Sequence, residues 1–591
     1  MFSKVLVANR GEIAVRIIRA LEELGIESVA VYSEPDRDAI HVARADEAYL
    51  LGGAAPAESY LNAARILEVA RESGAEAIHP GYGFLAESAP FAALCEEQGI
   101  VFIGPPASAI EAMGSKVRAR ELMARAGVPI IPGTTAPVKT VAAARRIIAA
   151  EIGFPVAVKA VAGGGGKGLR VAAAAGQLAE AFEGAAREGE RFFGDATVYL
   201  ERYLSDPRHI EVQVLADAHG NMLHLGERDC SVQRRHQKLI EESPAPPGVV
   251  DAALRERIGA AAIDAARAVD YRGAGTVEGL LADGEYYFLE MNTRVQVEHS
   301  VTEMTTGVDI VKTGIRVAAG EVLPLRQEDV VLRGHAIECR INAEDAAHRF
   351  VPSPGRIASY QEPSGPGVRV DSGVRAGSEV SASYDPMVAK LIVWDSDRDA
   401  ATRRMLRALG EFEITGITTL IPFHERLLAT EQWAAGETCR DLLEDETWLS
   451  AVPAEPVTTE SASAQAVALD YTIEVGGRRF DVRVIGPPNG SHGGHAAPAG
   501  TPRPKARRAA RAATGPGGDG GDVLASPMQG TVLKIAVETG AQVEEGALIA
   551  IIEAMKMENE ITAHKSGTVR ALPISVGASV ASGDPLAVIE S

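Results

Sequence analysis

The stretch 290–298 constrains the fold of this 591-residue chain more than any other, because its polarity alternates with a strict period of two. Successive side chains of an extended strand point to opposite faces. One face of a strand here would carry two carboxylates, two amides and a guanidinium, from Glu290, Asn292, Arg294, Gln296 and Glu298. Surface strands also alternate, but this face contains only groups that bind metal ions or orient anions. The pattern therefore predicts a strand with a functional polar face.

A β-hairpin is predicted immediately upstream, around the turn signal Asp283-Gly284. A strict two-residue turn would pair Val277 with Glu290 and place Glu278 on the opposite face. We therefore expect a three-residue connection, 283–285, which sets Glu278 opposite Glu290. Facing carboxylates repel each other unless a divalent cation lies between them. Two such carboxylates suit a Mg²⁺ ion that bridges nucleotide phosphates.

Length, charge and cysteine content limit the class of protein. A chain of 591 residues should form several domains, since single cores stop growing at roughly 250–300 residues. The net charge of −21 argues against a general nucleic-acid binder. The four cysteines lie far apart and lack the spacing of a zinc site, which favours reduced thiols. The charge at Lys4 comes too soon for a signal peptide. Both observations favour a cytoplasmic location. The sequence has no apolar run of about 18 residues that would predict a membrane span.

Residues 4–113 alternate short apolar strands with amphipathic helices, which predicts a doubly wound parallel sheet with helices on both faces. Strands are expected at 4–8, 28–32, 77–79 and 101–103, and helices at 13–24 and 61–73. The first turn, Asn9-Arg10-Gly11-Glu12, contains one glycine and is no dinucleotide fingerprint, so NAD binding is not expected.

Two lysines mark a change in character over residues 114–335. Lys116 stands at a predicted helix start, and Lys159 is the single charge in the apolar strand 155–160. An ammonium in an apolar strand is costly unless an anion neutralises it. We favour a phosphate as that anion over the alternative, a structural ion pair.

A glycine run follows, formed by Gly163, Gly164, Gly165 and Gly166. Its backbone N–H groups could wrap phosphate oxygens and also form a mobile flap. The Walker A spacing is not met, because residue 161 is valine and Lys167 precedes a glycine. A flexible loop is the alternative, and the nearby strand lysine favours phosphate binding.

A basic segment, 228–238, precedes the acidic hairpin. Such a segment is usually a solvated face, but an acidic metal site is predicted in the same domain. We therefore expect Gln233, His236 and Lys238 to bind anions. Further upstream, 199–204 could offer hydrogen bonds and an apolar wall to a base.

The later segments differ in composition. Residues 336–449 again mix strands and helices, with Arg340 on a strand over 336–342. A small β-rich piece is expected at 450–486. Residues 486–522 are rich in Pro, Gly and Ala and should be disordered; their basic run favours a solubilising or docking role over nucleic-acid binding.

The last 69 residues contain an internal repeat. Residues 530–553 match 567–590 at ten of 24 positions. Two matching β halves predict a flattened barrel with two-fold symmetry. The unrepeated segment 554–558 would then lie at the exposed turn between the halves, where Lys556 is free for modification.

These pieces resemble the α chains of biotin-dependent acyl-CoA carboxylases, in which a biotin carboxylase is fused to a biotin carboxyl carrier protein. Ala554-Met555-Lys556-Met557 is similar to the biotin acceptor motif, whereas lipoyl domains carry Asp-Lys-Ala. The resemblance implies an α/β multidomain chain that ends in an all-β barrel on a flexible linker. The implied segments are an α/β N-terminal domain (1–113), an ATP-grasp domain (114–335, mobile lid about 131–204), a carboxylase C-terminal domain (336–449), a linker (486–522) and a biotinyl carrier domain (523–591). Between them, 450–485 holds only a small β-rich segment where some relatives have a substantial docking domain, and it is the candidate for partner docking.

The resemblance also implies residue roles. The ATP site would use Lys116, Lys159, Gly163 through Gly166, Glu201, Leu204, His209, Gln233 and His236. The ligands of Mg²⁺, or of Mn²⁺ in its place, would be Glu278, Glu290 and Asn292. The bicarbonate pocket would be formed by Arg294, Gln296 and Val297. Catalysis would use Glu298 as the base for bicarbonate, Lys238 to spread phosphate charge, and Arg340 to stabilise the biotin enolate.

The implied activity is ATP-dependent carboxylation of biotin on Lys556 through carboxyphosphate. A separate carboxyltransferase β subunit would then carboxylate acetyl-CoA or propionyl-CoA. A biotin protein ligase and a second copy of the chain are expected partners, and no nucleic acid or membrane is. The alternatives are another ATP-grasp ligase, a carboxylase subunit of the methylcrotonyl-CoA type, and an inactive carrier scaffold.

Overall fold

The computed structural model describes residues 1–134, 136–160, 168–193, 195–453, 467–475, 478–486, 522–526, 530–554, 557–580 and 583–590. Within these ranges no helix is both long and apolar enough to cross a membrane.

The N-terminal part is a five-stranded parallel sheet in the order β3-β2-β1-β4-β5. The strands are β1 (Lys4–Val7), β2 (Glu27–Ser33), β3 (Glu47–Gly52), β4 (Ala77–His79) and β5 (Val101–Phe102). The helices are α1 (Gly11–Leu24), α2 (Ile40–Arg44), α3 (Ala63–Ser73), α4 (Ala89–Glu97) and α5 (Ala107–Gly114). Val5 and Val7 pack in one apolar cluster and Leu6 in another, on the opposite side of the sheet. The predicted doubly wound sheet is confirmed; β3 was missed because its residues are mostly half-buried.

A small three-stranded sheet comes next, in the order β7-β6-β8. Its region contains α6 (Lys116–Arg125), α7 (Val141–Ile147), β6 (Val156–Ala160), β7 (Leu169–Ala172), α8 (Leu178–Phe193) and β8 (Val198–Arg202). The central strand β6 carries Lys159, so the lysine predicted in a buried strand lies in one.

An eight-stranded antiparallel sheet, β13-β12-β9-β10-β11-β14-β21-β19, organises residues 208–395. Its strands are β9 (Arg208–Ala216), β10 (Met222–Arg234), β11 (Gln237–Ser243), β12 (Gly273–Ala282), β13 (Glu285–Asn292), β14 (His335–Asn342), β19 (Val368–Ser372) and β21 (Met387–Asp395). Helices α9 (Ala252–Arg267), α10 (His299–Thr306) and α11 (Ile310–Ala318) lie between strands in the chain. Because β11 pairs with β14, the sheet continues across the predicted boundary at 335/336.

The remaining elements up to residue 450 are mostly short. The strands are β15 (Glu344–Asp345), β16 (Val351–Pro352), β17 (Gly355–Arg356), β18 (Ser359–Gln361), β20 (Glu379–Val380) and β22 (Glu413–Thr415). The helices are α12 (Arg398–Glu411), α13 (Ile421–Leu428), α14 (Glu431–Ala434), α15 (Arg440–Glu444) and α16 (Glu446–Ser450). Buried apolar residues of α12 and α13 pack in one cluster with those of β14 and β21.

The connection between β12 and β13 corrects one prediction. The turn has two residues, Asp283 and Gly284, both with positive φ (52° and 77°), and Ala282 pairs directly with Glu285. The predicted three-residue connection is therefore wrong. Glu278 nevertheless lies opposite Glu290, because a β-bulge places one extra residue, Leu289, on β13 and shifts the register.

The predicted strand over 290–298 is also shorter than expected. The strand β13 ends at Asn292, and α10 begins at His299 with Glu298 as its N-cap. The strand β13 lies at the edge of the sheet, and its ladder with β12 ends at the pair Thr276–Asn292. Residues 293–298 leave this ladder, although β12 continues to Gly273 along β9, and they connect the sheet to α10.

The C-terminal segments are all β. A hairpin is formed by β23 (Val467–Val475) and β24 (Arg478–Gly486), as predicted for this region. The terminal strands are β25 (Val523–Ala525), β26 (Gly530–Ile535), β27 (Gln542–Val543), β28 (Leu548–Ala554), β29 (Met557–Thr562), β30 (Gly567–Ala571), β31 (Ser579–Val580) and β32 (Pro585–Glu590).

The terminal strands form two four-stranded sheets, β25-β32-β30-β27 and β29-β28-β26-β31. Each sheet takes strands from both sequence repeats, which confirms the flattened barrel. A Cβ on Gly530 would lie 2.4 Å from the carbonyl oxygen of Glu553, and one on Gly567 would lie 2.3 Å from that of Glu590. The repeated glycines therefore allow the same close backbone approach in both halves. The predicted linker core, 487–521, and Lys556 lie outside the described residues.

Burial makes one carboxyl group pH-sensitive. Glu344 is 1% exposed, accepts a hydrogen bond from Asn342, and has one oxygen without a partner within the described part of the chain. Burial raises its pKa from 4.5 to about 7. Between these values the folded state binds more protons than the unfolded state, so this group lowers stability as pH rises.

We predict that Glu344→Gln will be more stable than the unmodified chain at pH 8, by at most about 3 kcal/mol. The difference should vanish near pH 4.5, where the native carboxyl is neutral in the fold. Urea unfolding at several pH values measures it, with the exposed Glu328→Gln as control. A stability difference independent of pH would contradict the prediction.

Candidate active site

Lys238 lies at the centre of a cluster of buried charges. Its ammonium nitrogen is 2.5 Å from Glu211 Oε2, 2.6 Å from Glu298 Oε1 and 2.9 Å from Glu278 Oε1. These carboxylates come from β9, the start of α10 and β12. Burial opposes the charged form of Lys238, but the carboxylates raise its pKa well above the ordinary value. One cation thus joins three separate elements.

Arg340 on β14 extends the cluster. Its Nη2 donates to Glu298 Oε2 at 3.0 Å and its Nε donates to Glu241 Oε1 at 2.6 Å. Burial would raise the pKa of Glu298, but Lys238 and Arg340 hold it well below the ordinary value. Glu298 is therefore an ionised carboxylate held between two cations.

The predicted metal ligands meet at the β12–β13 pair. Glu278 Oε1 accepts hydrogen bonds from Asn292 Nδ2 (2.7 Å) and Gln296 Nε2 (2.5 Å), and Glu278 Oε2 lies 2.9 Å from His209 Nε2. The side chain of Glu290 forms no ion pair or hydrogen bond with other described residues. Burial and the charge of Glu278 raise the pKa of Glu290. A divalent cation fits this pair, because it would relieve that repulsion.

Arg294 is held at the edge of the cluster. Its Nε donates to Glu87 Oε2 at 2.9 Å and its Nη2 donates to Asn292 Oδ1 at 2.8 Å. The next residue in the polar stretch, Gln296, reaches Glu278, and the carbonyl oxygen of Val297 accepts a hydrogen bond from the buried Lys390. The polar residues of 290–298 therefore converge without forming one strand face.

Lys159 makes the interaction that the sequence disfavoured. Its ammonium pairs with Glu201 on the neighbouring strand β8, and Arg120 donates to the other oxygen of Glu201 at 2.5 Å. The structure thus shows the ion pair that was the alternative to a phosphate partner. The Lys159 side chain remains 24% exposed, so an anion can still reach it.

His236 lies close enough to three other residues predicted for nucleotide binding, His209, Lys116 and Lys159, to be influenced by their charges. His236 lies in the two-residue turn between β10 and β11, and Gln233 pairs with Lys238 in that hairpin. Burial, followed by the charges of His209, Lys116, Arg440 and Lys159, lowers the pKa of His236. Lys116 is exposed at the first position of α6, and Leu204 is half-buried beyond β8. The glycines 163–166 lie outside the described residues.

Sequence reasoning missed several partners of the predicted residues, namely Glu87, Arg120, Glu211 and Glu241. A signal for Glu211 was present, because His209-Ile210-Glu211-Val212-Gln213 alternates with the same period of two as 290–298. The other three carry no comparable pattern, and only the tertiary structure brings them to the site.

Four protein-family models match consecutive parts of the chain. They are the biotin carboxylase N-terminal domain (residues 1–110), the carbamoyl-phosphate synthase L chain ATP-binding domain (115–326), the biotin carboxylase C-terminal domain (338–445) and the biotin-requiring enzyme domain (522–589). Fold and site thus define an ATP-dependent biotin carboxylase that is fused to a biotin-carrying domain.

Individual relatives agree with this class. The chain is 46% identical to the biotin-dependent acyl-coenzyme A carboxylase alpha3 subunit of Mycobacterium leprae, over 95% of this chain and 94% of that one. It is 55% identical to biotin carboxylase 1 of Bacillus subtilis, over 75% of this chain and 98% of that one.

Among solved structures, the biotin carboxylase domain dimer of 2-oxoglutarate carboxylase from Hydrogenobacter thermophilus, in complex with MgADP, ADP and bicarbonate, is 51% identical. The alignment covers 75% of this chain and 98% of that one, with a TM-score of 0.70.

The chain therefore belongs to the α subunits of biotin-dependent acyl-CoA carboxylases. Its activity is the ATP-dependent carboxylation of biotin, with Mg²⁺ as metal and bicarbonate as substrate. A carboxyltransferase partner follows from that membership.

Proposed function

We propose that Lys556 carries the biotin and that the buried charge cluster around Lys238 carboxylates it. The observation that supports this most strongly is the chain of contacts from Glu278 through Lys238 and Glu298 to Arg340. It joins the proposed metal ligands, the proposed base and the proposed biotin-side cation in one continuous network.

Glu278, Glu290 and Asn292 hold the magnesium ion in this proposal. When bound, the ion neutralises phosphate oxygens of ATP and lowers the barrier to phosphoryl transfer. The Glu290 carboxylate is available to bind the ion, because it forms no ion pair within the described residues and Glu278 opposes its ionisation. The amide nitrogen of Asn292 keeps Glu278 in place.

The nucleotide phosphates face a ring of positive and neutral donors. We assign this role to Lys116, Lys159, Gly163, Gly164, Gly165, Gly166, His209, Gln233 and His236. Glu201 and Leu204 are assigned to the pocket for the adenine base. Lys159 already pairs with Glu201. To bind a phosphate of ATP, the Lys159 ammonium must therefore exchange the carboxylate for the phosphate or contact both anions at once.

Bicarbonate binds beside Glu298, in a pocket formed by Arg294, Gln296 and Val297. A guanidinium binds a planar anion with two parallel hydrogen bonds. Glu298 takes the proton from bicarbonate, and the freed oxygen attacks the γ-phosphorus of ATP, which breaks the bond to the β–γ bridging oxygen, releases ADP and forms carboxyphosphate. The contacts with Lys238 and Arg340 make Glu298 a weak base. When these two cations bind the anionic substrates instead, the pKa of Glu298 rises and it becomes a stronger base.

Glu298→Gln tests the base. We expect biotin- and bicarbonate-dependent ATP cleavage to fall at least about 100-fold, because the amide cannot accept the proton. The Kd for Mg-ATP should stay within about threefold. Glu227→Gln is the control, since Glu227 is equally buried but pairs with Arg255, outside the cluster. Activity of Glu298→Gln close to that of the control would reject the assignment.

Lys556 is tested by mass spectrometry of the full chain, expressed with an active biotin ligase. We expect one biotin increment, located on the peptide that contains Lys556 and lost in Lys556→Arg. Lys534→Arg, an exposed lysine of the same barrel, should keep the label. Lipoate would indicate another ATP-grasp ligase, and an unmodified chain would indicate a scaffold without carrier function.

We further propose that a separate β subunit transfers the carboxyl group to acetyl-CoA or propionyl-CoA. The resemblance to the Mycobacterium leprae subunit over nearly both full lengths supports an acyl-CoA acceptor.

The hairpin β23–β24 is the candidate docking piece for that subunit. The proposed segments are 450–485 for docking, 486–522 for the linker and 523–591 for the carrier. The lid is proposed at about 131–204, and a biotin protein ligase loads Lys556.

Copurification with the tagged chain identifies the β subunit. We expect the complex to carboxylate acetyl-CoA or propionyl-CoA in preference to methylcrotonyl-CoA, measured as fixation of labelled bicarbonate. Removal of residues 467–486 should abolish copurification while the free chain still cleaves ATP. A complex that prefers methylcrotonyl-CoA, or pyruvate, would overturn the acceptor class but not the biotin carboxylase.

A further inference from the structure

Arg228 is a fully buried cation to which the proposed mechanism gives no role. It lies on β10 directly opposite Glu211 of β9 and is 0% exposed. A guanidinium has five N–H donors. All five are used, toward Glu211 Oε1 (2.5 Å), Gln213 Oε1 (2.8 Å), Thr276 Oγ1 (3.1 Å), Gln296 Oε1 (2.8 Å) and Thr302 Oγ1 (3.1 Å).

The contact with Gln296 determines which way its amide points. Gln296 Oε1 accepts from Arg228, and Gln296 Nε2 donates to Glu278 Oε1 at 2.5 Å. A guanidinium can only donate, and an ionised carboxylate can only accept. Turning the amide by 180° would place its NH₂ against the cation and its carbonyl against the carboxylate. Gln296 is therefore locked in one orientation between two opposite charges.

That orientation affects what an anion would meet. The oxygen of Glu278 that binds Gln296 also binds Lys238 and Asn292, so the Gln296 amide nitrogen lies in the charge cluster itself. An NH₂ group there carries a second N–H that can donate to an anion. A carbonyl oxygen in the same place would repel one.

Arg228 also shares Glu211 with Lys238. One oxygen of that carboxylate binds Arg228 and the other binds Lys238. The charge of Glu211 is therefore divided between two cations, which leaves Lys238 freer to hold Glu278 and Glu298. Arg228 is therefore connected to the Lys238 cluster through Glu211 as well as through Gln296.

We propose that Arg228 is a positioning residue for bicarbonate binding, and that it acts by fixing the amide of Gln296 with its N–H side toward the anion. The inference rests on the proposed function, because it takes Gln296 as part of the bicarbonate pocket. The alternative is that Arg228 only stabilises the β9–β10 pair as a buried ion pair.

Arg228→Lys separates the two possibilities. A lysine keeps a positive charge beside Glu211, so the charge of that buried carboxylate stays neutralised. One ammonium group cannot, however, replace a planar guanidinium with five donors. We expect the KM for bicarbonate to rise about tenfold, equivalent to about 1.4 kcal/mol. The KM for ATP should change by less than about twofold.

The control is Arg398→Lys in the same full-length chain. Arg398 is 5% exposed, binds both oxygens of Glu242 and the carbonyl oxygen of Trp433, and makes no contact with the Lys238 cluster in the described part of the chain. Its substitution should lower thermal stability to a similar extent without moving the KM for bicarbonate.

The decisive measurement places Arg228→Lys in a Gln296→Ala background. If Arg228 acts through Gln296, its effect on the KM for bicarbonate should disappear there, because no amide remains to orient. An equal rise in both backgrounds would overturn the inference, as would an unchanged KM in Arg228→Lys alone.

Failure of the proposed function gives a different result. If ATP cleavage by the unmodified chain does not depend on bicarbonate, the function itself fails. If Gln296→Ala leaves the KM for bicarbonate unchanged while the activity stands, the pocket assignment of Gln296 fails, and with it the role of Arg228.

Discussion

The ammonium of Lys238 is the interaction on which the rest of the site depends. Three buried carboxylates, Glu211, Glu278 and Glu298, approach it within 2.9 Å, and none of them could stay ionised in the interior without a cation. Arg228 and Arg340 bind the far oxygens of two of these carboxylates. The result is a balanced set of buried charges in which each member makes the burial of its neighbours tolerable. Such a network is suited to binding charged substrates, because a substrate anion can replace one of its own carboxylates.

The antiparallel sheet explains how this network is assembled. Apart from Glu298 at the start of α10, its members come from β9, β10, β11, β12 and β14, which are adjacent in the sheet although β12 and β14 lie far along the chain from the others. The pair β11–β14 is the important one, because it brings Arg340 to the edge of a cluster otherwise built from residues 211–298. The charge network therefore depends on a sheet that spans the ATP-binding and C-terminal regions, and neither region contains the complete network alone.

Several features could be read from the chain, but the physical reasons were not always the right ones. The alternation over 290–298 predicted which side chains meet, yet β13 ends at Asn292 and the later polar residues lie in the connection to α10. Glu278 faces Glu290 as predicted, but through a bulge at Leu289 and not a longer turn. Lys159 was expected to need an anion, and it has one; that anion is Glu201, which the sequence placed elsewhere in the same site.

The sequence by itself determined the order of the α/β, mixed and all-β parts, the internal symmetry of the terminal barrel, and the residue types that carry the chemistry. These follow from periodicity, glycine spacing and motif composition, which are local properties. The tertiary structure alone decided that Arg228 reaches Gln296, that Glu87 holds Arg294 and that Glu241 supports Arg340. The partners in these contacts are separated by 68, 207 and 99 positions in the chain, and a contact between distant residues leaves no periodic signal in either segment.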